Sequence, residues 1–579
     1  MGRAEVLEDI VKRRLFYWPS SEIYGGVGGF YDYGPLGVQM RRNIVEKWRK
    51  TFISPYQDVI VEVETPIVMP EIVFKASGHL DHFTDYMASC TKCGRKYRAD
   101  HLIEEELGKR GVKISTEGLS REELERLIVE HKITCPNCGN PLGAVETFNL
   151  LFKTAIGPYS ENAGYLRPET AQGMFVAFPR LAEYMKRRHP FGVAQIGRVS
   201  RNEISPRGGL IRLREFTQME IELFFDPKSP ACPFFAEVEN LEVPIVPEEL
   251  VAKGQVDPLY LTARQIVERG HANEWMAFFM ALATRFLKEL GVERQKFVGK
   301  LPHERAHYSA RSYDQMAYTE RFGWVEVSGH AYRTDYDLAG HGKYSGHEMY
   351  LERRLPEPKE VEISRLYPNP AAIRAKYGER MGEVIKAVKE REEEIIQAFR
   401  QGSGEVAVGD FVITPEMFFV KTERRKTDIE KFIPHVVEPS FGLDRILYVV
   451  LESSLASEEG RVYLRLPPDI APVTLCILPI VKREEYVKIG RRLMRELMSN
   501  GMYVIYDDEG TIGSRYASCD EIGTPLAVTI DEKTPVDSTV TIRERDTRRQ
   551  VRVKLGDVAT FASFIKAGLS FEEAARRTQ

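Results

Sequence analysis

Four cysteines carry the most specific local signal in the 579-residue chain. They form two pairs, Cys90 with Cys93 (CTKCG) and Cys135 with Cys138 (CPNCG). The glycine after each pair lets the backbone turn tightly, so both sulfurs of a pair can face one point. Four thiolates at about 2.3 Å around Zn²⁺ complete a tetrahedron with no open position, which makes such a site structural rather than catalytic. Four buried or partly reactive thiols are the other reading, and it leaves the doubled CxxCG unexplained. Cys232, Cys476 and Cys519 are isolated and read as core or surface thiols. His79 and His82 are inferior ligands, and His330, His341 and His347 fit no standard metal spacing.

Three further stretches combine Arg, Glu and small residues in strand-like surroundings: 165–175 (YLRPETAQGMF), 198–225 (RVSRNEISPRGGLIRLREFTQMEIELFF) and 438–448 (EPSFGLDRILY). The middle one has two β-like arms around the turn-forming 205–209. It suits a polyanion that carries an aromatic base. Arg201 can neutralise a phosphate, Glu203 can accept a hydrogen bond from an exocyclic amine, and Phe216 can stack on a ring. Taken alone, it also reads as a charged hairpin on a sheet surface.

The elements that must hold these residues follow from periodicity. The aromatic, glycine-rich 18–37 has no strand-then-helix context and reads as turn-rich loop, not a dinucleotide site. A helix is expected over 38–52, with Ile44, Val45, Trp48 and Phe52 near helical spacing, then a strand stopped by Pro66. Residues 145–225 are dense in strand signals, and 324–338 is strand-like. Insertions are expected at about 90–140 (zinc-ribbon-like), 227–299 (helical, with a buried helix over 275–290) and 352–430 (charged and helical). After Pro467–Pro468, the expected linker, strands and helices alternate through 470–579 as a compact α/β domain, leaving 1–469 as the larger one.

Composition narrows the class. Hydrophobic residues make up 43% and charged residues 29%, too apolar for a disordered chain. The balance of 81 Lys+Arg against 85 Asp+Glu gives a net charge of -4, which excludes a histone-like binder of bulk nucleic acid but not one with local basic patches. No apolar run is long enough to span a membrane, and the charged N-terminus lacks a signal-peptide core. Val6 stands where N-myristoylation at Gly2 would want Ser or Thr. Seven cysteines in so long a chain make no disulfide framework, so a cytoplasmic enzyme or a large binding protein is expected.

RPETAQG (167–173) together with EPSFGLDR (438–445) resembles the class II aminoacyl-tRNA synthetases, specifically the glycyl-tRNA synthetases of the archaeal and eukaryotic-like dimeric type. The resemblance covers essentially the full length. The helix and strand ending at Pro66 resemble motif 1, the dimer-forming element; Arg201-Asn202-Glu203 through Phe216 resembles motif 2, and Gly442 to Arg445 motif 3. It implies an α+β fold, with an antiparallel sheet flanked by helices, insertions, and a C-terminal α/β anticodon-binding domain.

The activity implied is glycine–tRNA ligation in two steps. A glycine carboxylate attacks the α-phosphate of ATP, then glycine passes to the 3′ end of tRNA(Gly). No covalent enzyme intermediate is needed, so catalysis is positioning plus neutralisation of charge. By resemblance Arg201 holds the α-phosphate and the glycine carboxylate, Arg445 clamps the far phosphates, Phe216 sandwiches adenine, and Glu326 binds ATP directly or through Mg²⁺. Asn202, Glu203, Ile211, Arg212, Leu213, Arg214, Glu215, Val327, Gly442, Leu443 and Asp444 complete the implied ATP site.

Glycine offers no side chain to grip, so selectivity must come from exclusion around its ammonium. Glu169, Glu438 and Ser440 match the family's ammonium-binding positions. Phe216, Thr217, Gln218, Met219, Glu220, Pro439, Phe441, Gly442 and, beside the first Cys pair, Arg98 complete the implied glycine site. The basic runs 421–431, 186–189 and 543–549 are tRNA candidates that also read as solvated faces, and Arg515, Tyr516 and Asp520 are candidates for reading the anticodon. Other class II synthetases would need a larger pocket. A catalytically dead relative would have lost the motif arginines, whereas Arg201 and Arg445 are both present.

Overall fold

The computed structural model describes residues 2–578 except 115, 117, 159–161, 207 and 459, so Arg207 of the 205–209 turn lies outside the described residues. Two compact units form, Met1–Met349 with Ile433–Gln579, and Tyr350–Phe432.

A nine-stranded sheet organises the first unit. Its strands are β1 (Ile60–Glu62), β2 (Phe191–Ser200), β3 (Glu215–Phe225), β4 (Glu242–Val246), β5 (Leu259–Thr262), β6 (Gln295–Gly299), β7 (Arg311–Thr319), β8 (Gly323–Thr334) and β9 (His435–Gly442), in the spatial order β5-β4-β6-β7-β8-β9-β3-β2-β1. Neighbours are antiparallel except β1 with β2 and β4 with β6. The helices that matter for the site are α1 (Pro35–Phe52), α2 (Ala171–Tyr184), α3 (Glu274–Glu289), α4 (Tyr336–Ser345) and α5 (Leu443–Ser454).

α1 starts at Pro35, where a missing N–H costs nothing, and places Met40, Ile44, Trp48 and Phe52 on one stripe that is closed to solvent. Trp48 and Phe52 pack on Phe441 of β9, with ring centroids 6.1 and 4.9 Å away. α3 is apolar nearly all round and correspondingly buried, its first turn capped by the Asn273 side chain. Phe286 of α3 meets the same Phe441 at 5.9 Å, so both helices cover one face of the sheet and leave the other for the site.

Several expectations are corrected. The segment 227–299 is not a helical insertion, because β4, β5 and β6 within it belong to the main sheet. The strand expected up to Pro66 is only Ile60–Glu62. The run 145–225 also holds α2, and 324–338 divides into β8 and the start of α4. The unit 350–432 is a long two-stranded ribbon, Leu351–Pro368 with Phe418–Phe432, carrying three helices over Ile373, Val384, Ile395 and Phe411. Helices occupy Pro370–Tyr377, Met381–Glu390 and Glu392–Arg400 of the segment expected as charged and helical, and its two ends pair as strands.

The C-terminal sheet runs Val504–Tyr506, Leu475–Pro479, Leu526–Ile530, Thr539–Glu544, Gln550–Lys554, parallel over the first three strands and antiparallel after. The junction is packed rather than free: Ile470, Ala471 and Val473 join the main core, and Asn43 of α1 donates to the Ala471 carbonyl at 2.9 Å.

Candidate active site

A cavity of about 580 Å³ lies on the face of the sheet opposite α1 and α3. Register decides who reaches it. Gln218 pairs with Gly442, Glu220 with Ser440, Gly329 with Ser440 and Ala331 with Glu438, and directly opposed residues share a face. All of these side chains or glycines line the cavity. Met219 and Phe441, one step along, are fully buried in the core below, and Thr217 and Pro439 alternate with the cavity residues. The implied glycine site therefore loses Thr217, Met219, Pro439 and Phe441, because a strand cannot present consecutive side chains to one ligand.

One end of the cavity is acidic around a single guanidinium. Arg333 donates to Asp337 at 2.8 and 3.0 Å, to Glu438 at 2.8 Å and to Glu169 at 3.3 Å, fully closed to solvent. Gln172 of α2 donates to Glu169 at 2.8 Å and to Asp337 at 2.9 Å. Ser440 donates to Glu220 at 2.5 Å, and the Thr170 N–H does so at 2.9 Å.

These acids do not titrate alike. Burial alone would raise Glu169, but Arg333 and His79 outweigh it and hold the carboxyl well below the usual range. Burial, with Glu220 and Glu169 nearby, pushes Glu438 up to about 8 against the pull of Arg333. Burial raises Glu220 as well, and lifts Glu222, beneath it on β3, well above its ordinary value; among the described residues neither carboxylate oxygen of Glu222 has a hydrogen-bond partner.

The other end is basic. The Arg201 guanidinium lies 5.2 Å from the Phe216 ring centre and 5.6 Å from that of Phe83, and donates to the Pro168 carbonyl at 3.1 Å. Arg445 donates to the Glu326 carboxylate and carbonyl, both at 2.9 Å, and to the Ile211 carbonyl at 2.8 Å. Glu203, Leu213 and Val327 line the wall with them, and Arg212 does so while touching His101 at 3.1 Å. Asp314 on β7 pairs with Lys300 at 3.2 Å; burial and the charge of Glu326 raise it to about 7. Glu326 and Asp314, both lining the cavity, offer carboxylate oxygens of the kind a divalent ion takes as ligands.

Other expected ligands are engaged elsewhere. Arg98 lies outside the cavity, tied to Asp85 at 3.2 Å and Asp100 at 2.8 Å. Arg214 donates to the carbonyls of Gly28 and Glu203, Glu215 pairs with Arg198 at 3.1 Å, and Leu443 is core. The Asn202 N–H goes to the Leu150 carbonyl. Asp444 touches the cavity but is bound by the Thr217 N–H at 2.7 Å and by Arg41 and Tyr33, so it fastens α1, β3 and α5 together.

In the C-terminal domain Arg515 and Asp520 are buried. Arg515 donates to backbone carbonyls and Asp520 accepts from Arg461 and Arg543, while the Tyr516 hydroxyl meets Thr529. None of the three offers its polar end to a base.

Sequence reasoning missed Arg333, Asp337, Gln172, His307 and Tyr308. Its one available signal was an Arg and an Asp four residues apart (RTDYD) just after a strand.

The four cysteines cluster at one end of a small separate sheet, Thr84–Cys90, Lys96–Arg98 and Leu142–Asn149, with Cys90 closing its first strand, the others in or next to turns, and helices Ala99–Lys109 and Arg121–Glu130 between the pairs. Their sulfurs lie within 4.8 Å of one another, Cys90 to Cys138 at 3.4 Å and Cys93 to Cys135 at 3.7 Å. Zinc–sulfur bonds of about 2.3 Å put tetrahedral sulfurs about 3.8 Å apart, so the donor set fits the ion.

Known proteins resemble the chain over nearly its whole length. The glycine–tRNA ligase of Aeropyrum pernix is 47% identical over 98% of both chains. That of Pyrococcus abyssi is 46% identical over 96% of this chain and 97% of its own, and that of Methanocaldococcus jannaschii 43% over 96% and 98%. The chain belongs to the glycine–tRNA ligase family. The family's tRNA-reading module is matched as well, by a model described as an anticodon binding domain over residues 474–564. A prolyl-tRNA synthetase structure from Cryptosporidium parvum, complexed with L-proline and AMP, shares the fold at a TM-score of 0.50 and 12% identity, over 99% of this chain and 77% of its own. The α+β class II architecture of the glycine–tRNA ligase family thus accounts for the sheet and its cavity.

Proposed function

We propose that the chain activates glycine with ATP and transfers it to the 3′ end of tRNA(Gly). The observation that carries this reading is the acidic end of the cavity, where Glu169, Glu220 and Glu438 surround a space bordered by Gly329, Ala331 and Ser440. A small ammonium fits there, and a substrate side chain would meet β8 or β9.

In the first step a glycine carboxylate oxygen attacks the α-phosphorus and pyrophosphate leaves. Arg201 neutralises the α-phosphate and the carboxylate, Phe216 stacks on adenine, and Arg445 holds the far phosphates. Mg²⁺, held by Glu326 with Asp314 beside it, would supply further neutralisation of the phosphates. Arg333 keeps the carboxylates in place rather than binding substrate. Cys90, Cys93, Cys135 and Cys138 would hold a structural Zn²⁺ that shapes residues 84–149.

The chain acts as a homodimer through the motif 1 region around α1, in the cytoplasm; no helix among the described residues is long and apolar enough to cross a membrane. Residues 470–579 bind the anticodon arm, and the exposed Lys421, Arg424, Arg425 and Lys426 favour phosphate contacts. Aminoacylation of tRNA(Gly) with each amino acid in turn tests the reading. Glycine alone should be attached, and attachment of alanine or proline at a comparable rate would contradict it.

A further inference from the structure

Resting on that reading of the cavity, we propose that His307 is the general base of the transfer step, accepting the proton of the tRNA's terminal ribose hydroxyl as it attacks the glycyl carbonyl.

The two steps make different demands. In activation the nucleophile is a carboxylate, already ionised, and no base is needed. In transfer the nucleophile is a neutral hydroxyl that must lose its proton. A ribose O–C bond forms, the acyl–phosphate C–O bond breaks, and AMP leaves with the electron pair. The proton rests on the imidazole and passes to water afterwards.

His307 stands where such a base is wanted. It lines the cavity and is open to solvent on one side, so it sits at the rim where a macromolecular substrate enters. It belongs to the acidic end. The ring of its neighbour Tyr308 lies 3.6 Å from the Arg333 guanidinium carbon, and its own ring is 5.8 Å from that of His79, whose Nε2 is 3.6 Å from Glu169.

Its tautomer is set by the fold. His307 Nε2 lies 2.9 Å from the Ser77 carbonyl oxygen, which can only accept, so in the neutral ring Nε2 carries the proton and Nδ1 the lone pair. Among the described residues nothing bonds Nδ1. The approach depends on Gly78, with φ of +78°: a Cβ there would stand 3.1 Å from His307 Nε2 and 2.9 Å from the Tyr336 hydroxyl. A backbone carbonyl thus orients the imidazole as a carboxylate does in hydrolytic triads.

The ring is also kept neutral. Partial burial lowers its pKa from the ordinary 6.5, the His79 and His82 rings push the same way, and Glu169 and the Ser77 carbonyl oppose them. Tyr308 and Tyr336 complete its surroundings. A neutral imidazole is the competent form of a base.

The test separates the steps. Glycyl-adenylate is formed on the enzyme, mixed with tRNA(Gly) in rapid quench, and the transfer rate is compared with glycine-dependent pyrophosphate exchange for the wild type and His307→Gln, whose amide can still donate to Ser77. Transfer should fall 10²- to 10⁴-fold, at least tenfold more than exchange, and its acid limb in the pH profile should vanish. Gly78→Ala, which crowds the ring without removing it, should slow transfer in the same direction. An unchanged transfer rate, or equal loss of both steps, overturns the assignment. Absence of glycine-dependent exchange in the wild type would instead overturn the reading of the site on which it rests.

Discussion

Arg333 on β8 and Glu438 on β9 meet at 2.8 Å across the centre of the sheet, the guanidinium wholly closed to solvent. Arg333 also binds Glu169 and Asp337, so one cation holds three carboxylates where water cannot screen them. Removing it leaves charges that must be protonated or expelled. Arg333→Met should destabilise the protein by about 3–5 kcal/mol, the range for breaking a buried ion pair from one side, and should raise the KM for glycine. Urea unfolding checks the first expectation. A loss below about 1 kcal/mol would mean that the network is not structural.

Glu438 should make glycine binding pH-dependent. Burial pushes its carboxyl up to about 8 even beside Arg333, which brings its titration into the neutral range in the free enzyme. An arriving ammonium favours the ionised form, so binding releases a proton and affinity should rise from pH 6 to pH 8. The stability sign is opposite: a carboxyl raised in the folded state favours folding at low pH, so its contribution is lost as pH climbs from about 4.5 through 8. Calorimetry of glycine binding in buffers of different ionisation enthalpy measures the released proton. Glu438→Gln should abolish that buffer dependence; a wild type showing none would contradict the assignment.

Asp444 should matter to the fold more than to ATP. It receives the Thr217 N–H, Arg41 and Tyr33, joining the three elements that carry the family motifs. Asp444→Ala leaves the buried Thr217 N–H without its acceptor and Arg41 without its carboxylate, and should cost about 3–5 kcal/mol. Its conservative variant Asp444→Asn should keep part of the stability. The thermal midpoints of the two variants, with and without ATP, check this, and a large change in ATP affinity at unchanged stability would point to direct binding.

Zinc removal should act locally. A chelator, or Cys135→Ser, should unravel residues 84–149, whose small core of Ala88, Leu102, Ile103 and Leu124 depends on the knuckles. The nine-stranded sheet should persist. Hydrogen exchange would show protection lost in that segment alone, and elemental analysis should find about one zinc per chain. Global loss of protection would contradict a separate unit.

Much of the site was legible because its parts are contiguous in sequence. Arg201, Phe216, Glu169, Glu438 and Arg445 fall within three short runs and converge on one cavity. The face of each residue was less legible: FTQME was read as a block, although a two-residue period admits only Phe216, Gln218 and Glu220. Arg333 stayed hidden because its partners come from α4, β9 and the segment before α2, and no spacing announces such a meeting. Three short strands, EVPIV, LYLT and QKFVG, were masked by the apolar helix α3 between them. Arg515 and Asp520 looked like base readers but are spent on backbone and ion pairs inside their own domain.

The central claim is that an acidic end too small for any side chain selects glycine for adenylation. ATP–pyrophosphate exchange with each amino acid in turn, for the wild type and Glu169→Gln, tests it most directly. The account predicts exchange with glycine alone, lost in the variant while the fold is kept. Exchange supported equally by alanine or a larger amino acid, or undiminished in Glu169→Gln, would contradict it.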